Sequence, residues 1–260
     1  MLEAVRSESS SDEVAVLLSG GVDSTCVLLA CLDAGFDVNA YTFYLKGHES
    51  QDVRASRRIC RDLGIGLTES VVPYSIDSLV ADTRRIVREF GTTRKTAVQC
   101  IHPFLYVVPE VKEHDVFSGL YADDLWGTSR KGNQEGHGGE ARFRAYRQRQ
   151  LTQQDYSCVH IRRCFERSGK SLHMPFASIG VSEYLLSLSW DEMNRPRPKA
   201  LAVRAYSEHF SKYGWYRRNS NLQVNSGIRE YHDLLLRTEL NTRGLKSVAG
   251  IYNDIANGRV

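Results

Sequence analysis

Apolar residues near the start of the chain fall in short unbroken runs, and each run is followed by apolar positions at helical spacing. Residues 14–18 are almost continuously apolar, as a strand buried on both faces requires. Residues 24–34 then place Cys26, Leu29, Ala30 and Leu32 on one helical face, with Gly35 at the C-cap. The β-branched and aromatic stretch "VNAYTFYL" (residues 38–45) predicts a second strand. A second helix is expected over 52–63, with Val53, Ile59, Cys60 and Leu63 apolar and Gly64 as the stop, and a third strand over 67–72. Helices are expected over 76–90 and within 96–112, the latter with Pro103 early in it, before a short strand beginning at Val116 and Phe117. The order β-α-β-α-β-α-α-β predicts an α/β fold with a doubly wound parallel sheet. Ligands of such sheets bind at the C-terminal strand ends.

Three other regions have their own character. Residues 1–12 are polar and acidic, which reads as a flexible leader and not as a signal or transit peptide. Residues 127–150 are rich in glycine and charge, and a mobile basic loop is expected there. From 152 onward the pattern is mainly helical, clearest in "VSEYLLSL", "KALAVRAYSEHF" and "IREYHDLLLRTEL". The expected organisation is a leader over 1–12, an α/β domain over 13–210 and a helical C-terminal extension over 211–260. No internal repeat is evident.

Composition narrows the class only a little. With 42% hydrophobic and 25% charged residues the chain reads as an ordinary globular protein. A net charge of +3 does not by itself argue for nucleic acid. No apolar stretch is long enough to span a bilayer, so no membrane partner is expected, and the expected location is cytoplasmic. The six cysteines, at 26, 31, 60, 100, 158 and 164, form no CxxC pair. They read as reduced, buried thiols and not as a zinc site.

The chemistry concentrates where the first strand ends. After Leu18 comes "SGGVDS" (residues 19–24). Gly20 and Gly21 allow unusual dihedrals and close approach of backbone N–H groups to a ligand. The helix that follows presents its positive end there. Ser19 and Ser24 add hydroxyls, which completes an anion cradle of pyrophosphate size. Asp23 would repel phosphates unless a cation intervened, so Mg²⁺ is expected beside it. The spacing is not that of a Walker A loop. The alternative reading is a glycine-rich turn with a capping aspartate.

"LSGGVDS" resembles the signature of the PP-loop ATP pyrophosphatases, which include asparagine, GMP, NAD and argininosuccinate synthetases and tRNA thiolation enzymes. The resemblance implies an adenine nucleotide alpha-hydrolase-like fold, ATP and Mg²⁺ as cofactors, cleavage of ATP between the α and β phosphates, and adenylation of a substrate oxygen. "VFSGLYADDLWGTS" (residues 116–129) resembles the asparagine synthetase segment Ser-Gly-Glu-Gly-Ser/Ala-Asp-Glu-Leu-x-Gly-Gly. Ser118, Gly119 and Gly127 match it, and Asp124 takes the place of the second glutamate. Asp123 matches the aspartate that helps hold Mg-pyrophosphate. Residues 173–193 resemble the family's Val-Pro-Phe-Leu-Asp stretch. Residues 197–206 resemble a Lys-x-x-Leu-Arg segment whose lysine, here Lys199, reaches the α-phosphate. The implied catalytic residues are Lys199, Asp123 and Asp124, and the implied metal ligands are Asp23 and Asp123. Related enzymes seat adenine at the end of the second strand, here Tyr41, Thr42 and Phe43. Asp52 matches a Ser-x-Asp aspartate or is a helix N-terminal charge. Arg94 and Lys95 meet a phosphate or an acidic substrate, or are solvated. The resemblance covers 13–210, the synthetase domain alone, and Leu2 stands where the glutaminase domain would expose its cysteine.

Departures from the family pattern fall on the acceptor side. Leu120 replaces the first glutamate and Tyr121 the second glycine of Ser-Gly-Glu-Gly, while Ala177 and Ser178 replace Leu-Asp after Pro-Phe. Leucine cannot orient or deprotonate ammonia, so ordinary asparagine synthesis is not expected. The β-lactam synthetases also replace that glutamate, with a tyrosine one place before Tyr121. Arg130, Lys131, Arg142, Arg144, Arg147 and Arg149 interleave with Phe143 and Tyr146, followed by Arg162, Arg163, Lys212 and "WYRRN" (residues 215–219). Such a pattern suits a nucleotide or nucleic-acid strand, or is a solvated loop. Three readings follow. One is an ATP-dependent ligase that adenylates a carboxylate or amide oxygen and passes it to an amine or to ammonia, free or from a separate glutaminase. Another is an enzyme modifying a nucleobase, free or in nucleic acid, by the same activation. The last is a degenerate nucleotide-binding module.

Overall fold

The computed structural model describes residues 1–152, 157–217, 222–241, 244 and 247–259. It begins with a short helix, α1 (Leu2–Glu8), where a flexible leader was expected. Val5 of this helix is fully buried. The Ser9 and Ser11 hydroxyls donate to the Asp115 carboxylate at 2.8 and 3.2 Å. A single buried valine among polar residues has no periodicity to reveal it, so this tie is purely tertiary.

The strands expected from the apolar runs form β1 (Glu13–Leu17), β2 (Asp37–Leu45) and β3 (Gly66–Val72), joined by α2 (Val22–Asp33) and α3 (Gln51–Leu63). Next come α4 (Ile76–Phe90), α5 (Lys95–Ile101), α6 (Phe104–Glu110) and β4 (Asp115–Ser118). The one helix expected within 96–112 is therefore two. Pro103 has no N–H to continue the ladder and instead takes the N-cap of the second. A fifth strand, β5 (Ser171–His173), was not foreseen, since it has three residues and only Leu172 is buried. All pairings are parallel, in the order β3-β2-β1-β4-β5. The doubly wound parallel sheet is thus as expected.

Residues 127–150, expected as a mobile loop, are largely helical. After α7 (Ala122–Trp126) come α8 (Arg130–His137) and α9 (Glu140–Thr152). The hairpin is pinned by buried Phe143, Tyr146 and Arg147. Gly127 lies so close to Phe143 that a Cβ there would be 2.4 Å from the ring. The charged sequence hid this because only two apolar residues hold the pair of helices down.

The remaining helices are α10 (Ser157–Glu166), α11 (Ile179–Ser187), α12 (Trp190–Asn194), α13 (Ala200–Ala205), α14 (Ser207–Tyr213), α15 (Leu222–Asn225), α16 (Ile228–Glu239) and α17 (Val248–Ala256). Alternation along β1 divides two cores. Val14 and Val16 join Val38, Ala40 and Phe117 against residues of α2, α13 and α14. Ala15 joins Tyr41, Val72 and Val116 against residues of α4, α10, α16 and α17. The C-terminal helices therefore close both faces of the sheet. No helix among the described residues is long and apolar enough to cross a membrane.

Candidate functional site

The C-terminal ends of β1, β2 and β4 open into a cleft. Its wall contains Leu18, Ser19, Asp23 and Ser24 from β1 and the turn after it, and Tyr41, Thr42 and Phe43 from β2. Ser118, Gly119, Leu120 and Asp123 complete it from the β4 side, and Asp52 from α3.

The turn after β1 has the shape its glycines imply. Gly20 has φ +66°, and a Cβ there would lie 2.4 Å from the Ala55 Cβ, so the turn packs directly on α3. Ser19 and Ser24 hydroxyls lie 3.1 Å apart. The Val22, Asp23 and Ser24 N–H groups at the start of α2 have no acceptor among the described residues. Orphan donors of this kind, at the positive end of a twelve-residue helix, are what an anion requires. Gly119 lets β4 approach this end, since a Cβ there would be 2.9 Å from the Ser24 nitrogen and 3.1 Å from the Asp23 Cβ.

Lys199 draws the acidic residues together. Its Nζ donates to Asp23 Oδ2 at 2.5 Å and to Asp123 Oδ1 at 2.6 Å. Trp126 Nε1 donates to the other Asp23 oxygen at 2.8 Å, and the Thr128 hydroxyl to Asp123 Oδ1 at 3.2 Å. Lys199 sits at φ +61°, a left-handed conformation unusual for a side-chain-bearing residue. Its N–H donates to Asn194 Oδ1 at 2.9 Å, and Asn194 Nδ2 donates to the Trp126 carbonyl at 2.9 Å. Tyr121, at φ 67°, is the other non-glycine residue with positive φ among those described, and it starts α7.

Burial and charge set the titration of this group. Burial pushes Asp23 up to about 6, with Lys199 opposing and Asp123 adding to the rise. Burial also raises Asp123, but the Lys199 ammonium and the Lys199 and Thr128 hydrogen bonds outweigh it and hold Asp123 below its ordinary value. Burial alone would lower Lys199, but the two carboxylates hold it above its ordinary value.

Among the described residues no three metal-ligating side chains gather to hold an ion alone. The Asp23 oxygens are both engaged by protein donors, whereas Asp123 Oδ2 has no partner among the described residues and its side chain is 47% exposed. Such a donor set fits Mg²⁺ in its usual phosphate-dependent mode, with one or two carboxylates and the remaining ligands from phosphate and water.

Other expected site residues are placed differently. Asp124 is not part of the cleft wall, and its charge is felt instead at Tyr121, Tyr146 and Cys158. Lys95 pairs with Asp233 at 2.8 Å, and Arg94 starts α5 away from the cleft lining. Arg147 is fully buried, donating to the Leu185 carbonyl at 2.6 Å and the Leu188 carbonyl at 3.0 Å, with its guanidinium 3.9 Å from the Phe143 ring centre. Burial pulls its pKa down to about 10. It is a structural anchor and not a nucleic-acid contact. Trp215 is buried, stacks on Tyr213 at 4.6 Å and donates to Asp62 at 2.9 Å, so it offers no free face to a base. Arg142 pairs with Glu135 at 2.5 Å. Arg130, Lys131, Arg144, Arg149, Arg162 and Arg163 are exposed. Lys212 lies over the Tyr213 ring. Arg218 and Asn219 lie outside the described residues. Ala177 and Ser178 line a separate polar groove beside β5.

Sequence reading missed Trp126, Asn194 and Asn225, and marked Arg217 only as part of the basic-aromatic stretch "WYRRN". Arg217 donates to the Ser19 carbonyl at 2.7 Å and the Gly20 carbonyl at 3.2 Å, and pairs with Asp52. Asn225 donates to the same Asp52 oxygen at 3.2 Å. No local pattern marks Trp126, Asn194 or Asn225, and Arg217 and Asn225 reach Asp52 from more than 160 residues away.

A family model described as asparagine synthase matches residues 1–168. Among curated proteins, a 7-cyano-7-deazaguanine synthase of Chromohalobacter salexigens is 36% identical over 62 residues, 24% of this chain and 25% of that protein. A protein of Acanthamoeba polyphaga mimivirus described as a probable asparagine synthetase (glutamine-hydrolyzing) is 26% identical over 133 residues, 49% of this chain and 24% of that protein. The chain thus spans about a quarter of the length of the curated relatives it matches. Two solved structures also align at 15% identity. One is a predicted subunit of a tRNA methyltransferase from Methanocaldococcus jannaschii, with 80% of this chain and 93% of that one covered and a TM-score of 0.34. The other is the U34-tRNA thiolase NcsA from Methanococcus maripaludis, with 99% and 75% covered and a TM-score of 0.38. Neither score is high enough to carry a functional argument.

Proposed function

The chain belongs to the asparagine synthase family, and from that premise we propose that it is an AMP-forming, ATP-dependent ligase. In this reading it adenylates a carboxylate or amide oxygen, releases pyrophosphate, and transfers the activated group to ammonia or an amine. The observation that carries it is the junction of Asp23, Asp123 and Lys199 beside the acceptor-free N–H groups of α2.

Each part has a role set by its chemistry. The α2 N–H groups and the Ser19 and Ser24 hydroxyls bind the pyrophosphate end of ATP. Tyr41, Thr42 and Phe43 border the space for the base, with Phe104 and Leu222 also in the wall. Lys199 keeps two carboxylates together that would otherwise repel, and offers positive charge where the leaving pyrophosphate gathers negative charge. Mg²⁺, bound with the phosphates, would be held by Asp123 and Asp23 and would neutralise charge on the leaving group.

A second reading concerns the acceptor. Leu120 lines the cleft in the place of the family's ammonia-handling glutamate, which supports an acceptor other than aspartate. A nucleobase, free or in nucleic acid, is that second reading. Exposed Arg130, Lys131, Arg144 and Arg149 on α8 and α9 also favour it.

Product analysis tests both. The protein is incubated with ATP, Mg²⁺ and ammonia, and with separate pools of small carboxylates, nucleobases and RNA. AMP and pyrophosphate released with carboxylates alone support the ligase, and release with nucleobases or RNA alone supports the second reading. ADP and phosphate overturn the AMP-forming mechanism, and no turnover in any pool overturns both readings and leaves a nucleotide-binding module.

A further inference from the structure

We infer that Arg217, from the C-terminal extension, positions the pyrophosphate loop and is required for its affinity for phosphate. The inference rests on the proposed ATP site and adds to it a residue that lies 193 positions or more beyond the loop in sequence.

The geometry is specific. Residues 19–24 must present N–H groups to an anion, yet the same turn carries carbonyl oxygens whose partial negative charge opposes one. Arg217 engages two of those carbonyls, Ser19 through Nη2 at 2.7 Å and Gly20 through Nε at 3.2 Å. A planar guanidinium can hold two acceptors in a fixed relation, which a lysine ammonium cannot. The Ser24 N–H, in the first turn of α2, has no acceptor among the described residues, while the neighbouring Gly20 carbonyl accepts from Arg217. The arginine thus occupies two carbonyls of the loop whose partial negative charge would face an anion.

Arg217 is itself held in place. Asp52, on the cleft wall, pairs with it and is steadied by Asn225. The Arg217 side chain is 18% exposed and that of Asp52 11%, so the pair is only weakly screened by solvent. On one side the segment is anchored by Trp215 donating to Asp62. On the other, Gly227 approaches His48 so closely that a Cβ would lie 2.9 Å from the ring. Leu222 and Ser226, from the same extension, line the cleft. Arg217 Nη1 has no partner among the described residues, so the group retains donor capacity at the loop.

Calorimetric titration of ATP, pyrophosphate and adenosine separates positioning from folding, because adenosine lacks the group that the loop holds. The full chain is compared with Arg217→Ala, Arg217→Lys and Asp52→Asn, with thermal melts for each. Arg217→Ala is expected to weaken ATP and pyrophosphate about tenfold or more, the scale of one lost charge-assisted contact, while adenosine affinity stays within twofold. Arg217→Lys recovers only part of the loss, and Asp52→Asn weakens the phosphate ligands less than Arg217→Ala. Unchanged pyrophosphate binding in Arg217→Ala, or equal losses for adenosine and ATP, overturns the inference. Should Arg217→Ala fail to fold, full pyrophosphate affinity in Arg217→Lys overturns it just as well. A wild-type chain that binds neither ATP nor pyrophosphate instead overturns the proposed function on which the inference rests.

Discussion

Lys199 Nζ lies 2.5 Å from Asp23 Oδ2 although 176 residues separate them in the chain. The contact joins the start of α2 after the glycine turn to the short helix α13, and Asp123 completes it from the first turn of α7. Three segments therefore converge on one ammonium. The left-handed backbone at Lys199 and the Asn194 hydrogen bond to its N–H are what aim the side chain inward.

Replacing Lys199 by Met keeps the length of the side chain and removes its charge. Asp23 then loses its cation while remaining buried, and the cost is about 3–5 kcal/mol, as for breaking other buried pairs. Denaturant titration should show that loss, and ATP turnover to AMP should disappear. A stable, active Lys199→Met variant would contradict the assigned role.

The Asp23 carboxyl gives the site a pH signature. Its folded pKa of about 6 lies above the ordinary 3.8. A raised pKa contributes stability below 3.8 that is lost as pH rises through 6. Asp123, held low, acts in the opposite direction, with its contribution lost as pH falls below 3.8. Melting temperature measured from pH 4 to 7 should therefore include a declining component that Asp23→Asn abolishes. In AMP-release assays, activity should fall below pH 6 as Asp23 protonates, and both Asp23→Asn and Asp123→Asn should be inactive but folded.

Gly119→Ala tests the close approach of β4 to α2. The new methyl would meet the Ser24 nitrogen and the Asp23 backbone carbon at 2.9 and 3.0 Å, and backbone cannot swing aside. Strain of about 1–3 kcal/mol is expected. Calorimetry should show ATP affinity reduced at least tenfold in a chain that still melts cooperatively.

Arg147→Ala separates structural from ligand-binding arginines. It strands the Leu188 carbonyl, takes one of two donors from the Leu185 carbonyl, removes a cation over the Phe143 ring and opens a cavity. A loss of about 2–4 kcal/mol is expected in chemical denaturation. Arg144→Ala, at an exposed position one helical turn away, should leave stability within about 0.5 kcal/mol.

A buried polar chain ties the C-terminal helices to the domain. His232 hydrogen-bonds Tyr252 at 2.7 Å and His102 at 3.0 Å, and His102 meets Asp82 at 3.0 Å. Burial, then His102 and Lys95, hold His232 well below its ordinary 6.5. A depressed pKa contributes stability that is present above 6.5 and lost as pH falls. The wild-type melting temperature should carry a component that falls on acidification from pH 7 to 5, opposite in sign to that of Asp23, and His232→Asn should remove it. An identical slope in the variant would move the acid sensitivity elsewhere.

What the chain determines by itself is set by short-range physics. The continuous apolar run over 14–18 needed burial on both faces, the β-branched and aromatic stretch over 38–45 needed a neighbouring strand, and the helices between them made a parallel sheet the natural solution. The glycine turn and the aspartates were legible because an anion cradle needs those residue types within a few positions. The tertiary structure decided everything that depends on distant partners. Arg147 looked like one more surface cation, and only the carbonyls at the end of α11 make it a core residue. Lys95 and Asp124 looked available to a substrate until Asp233 and the far side of α7 claimed them. Lys199 and Arg217 reach the loop because the core that holds Ala202, Val203, Phe210 and Trp215 carries both segments to the same sheet end. A hydrogen bond between residues 176 or 198 apart leaves no trace in the local pattern, because its energy exists only once both segments have been placed.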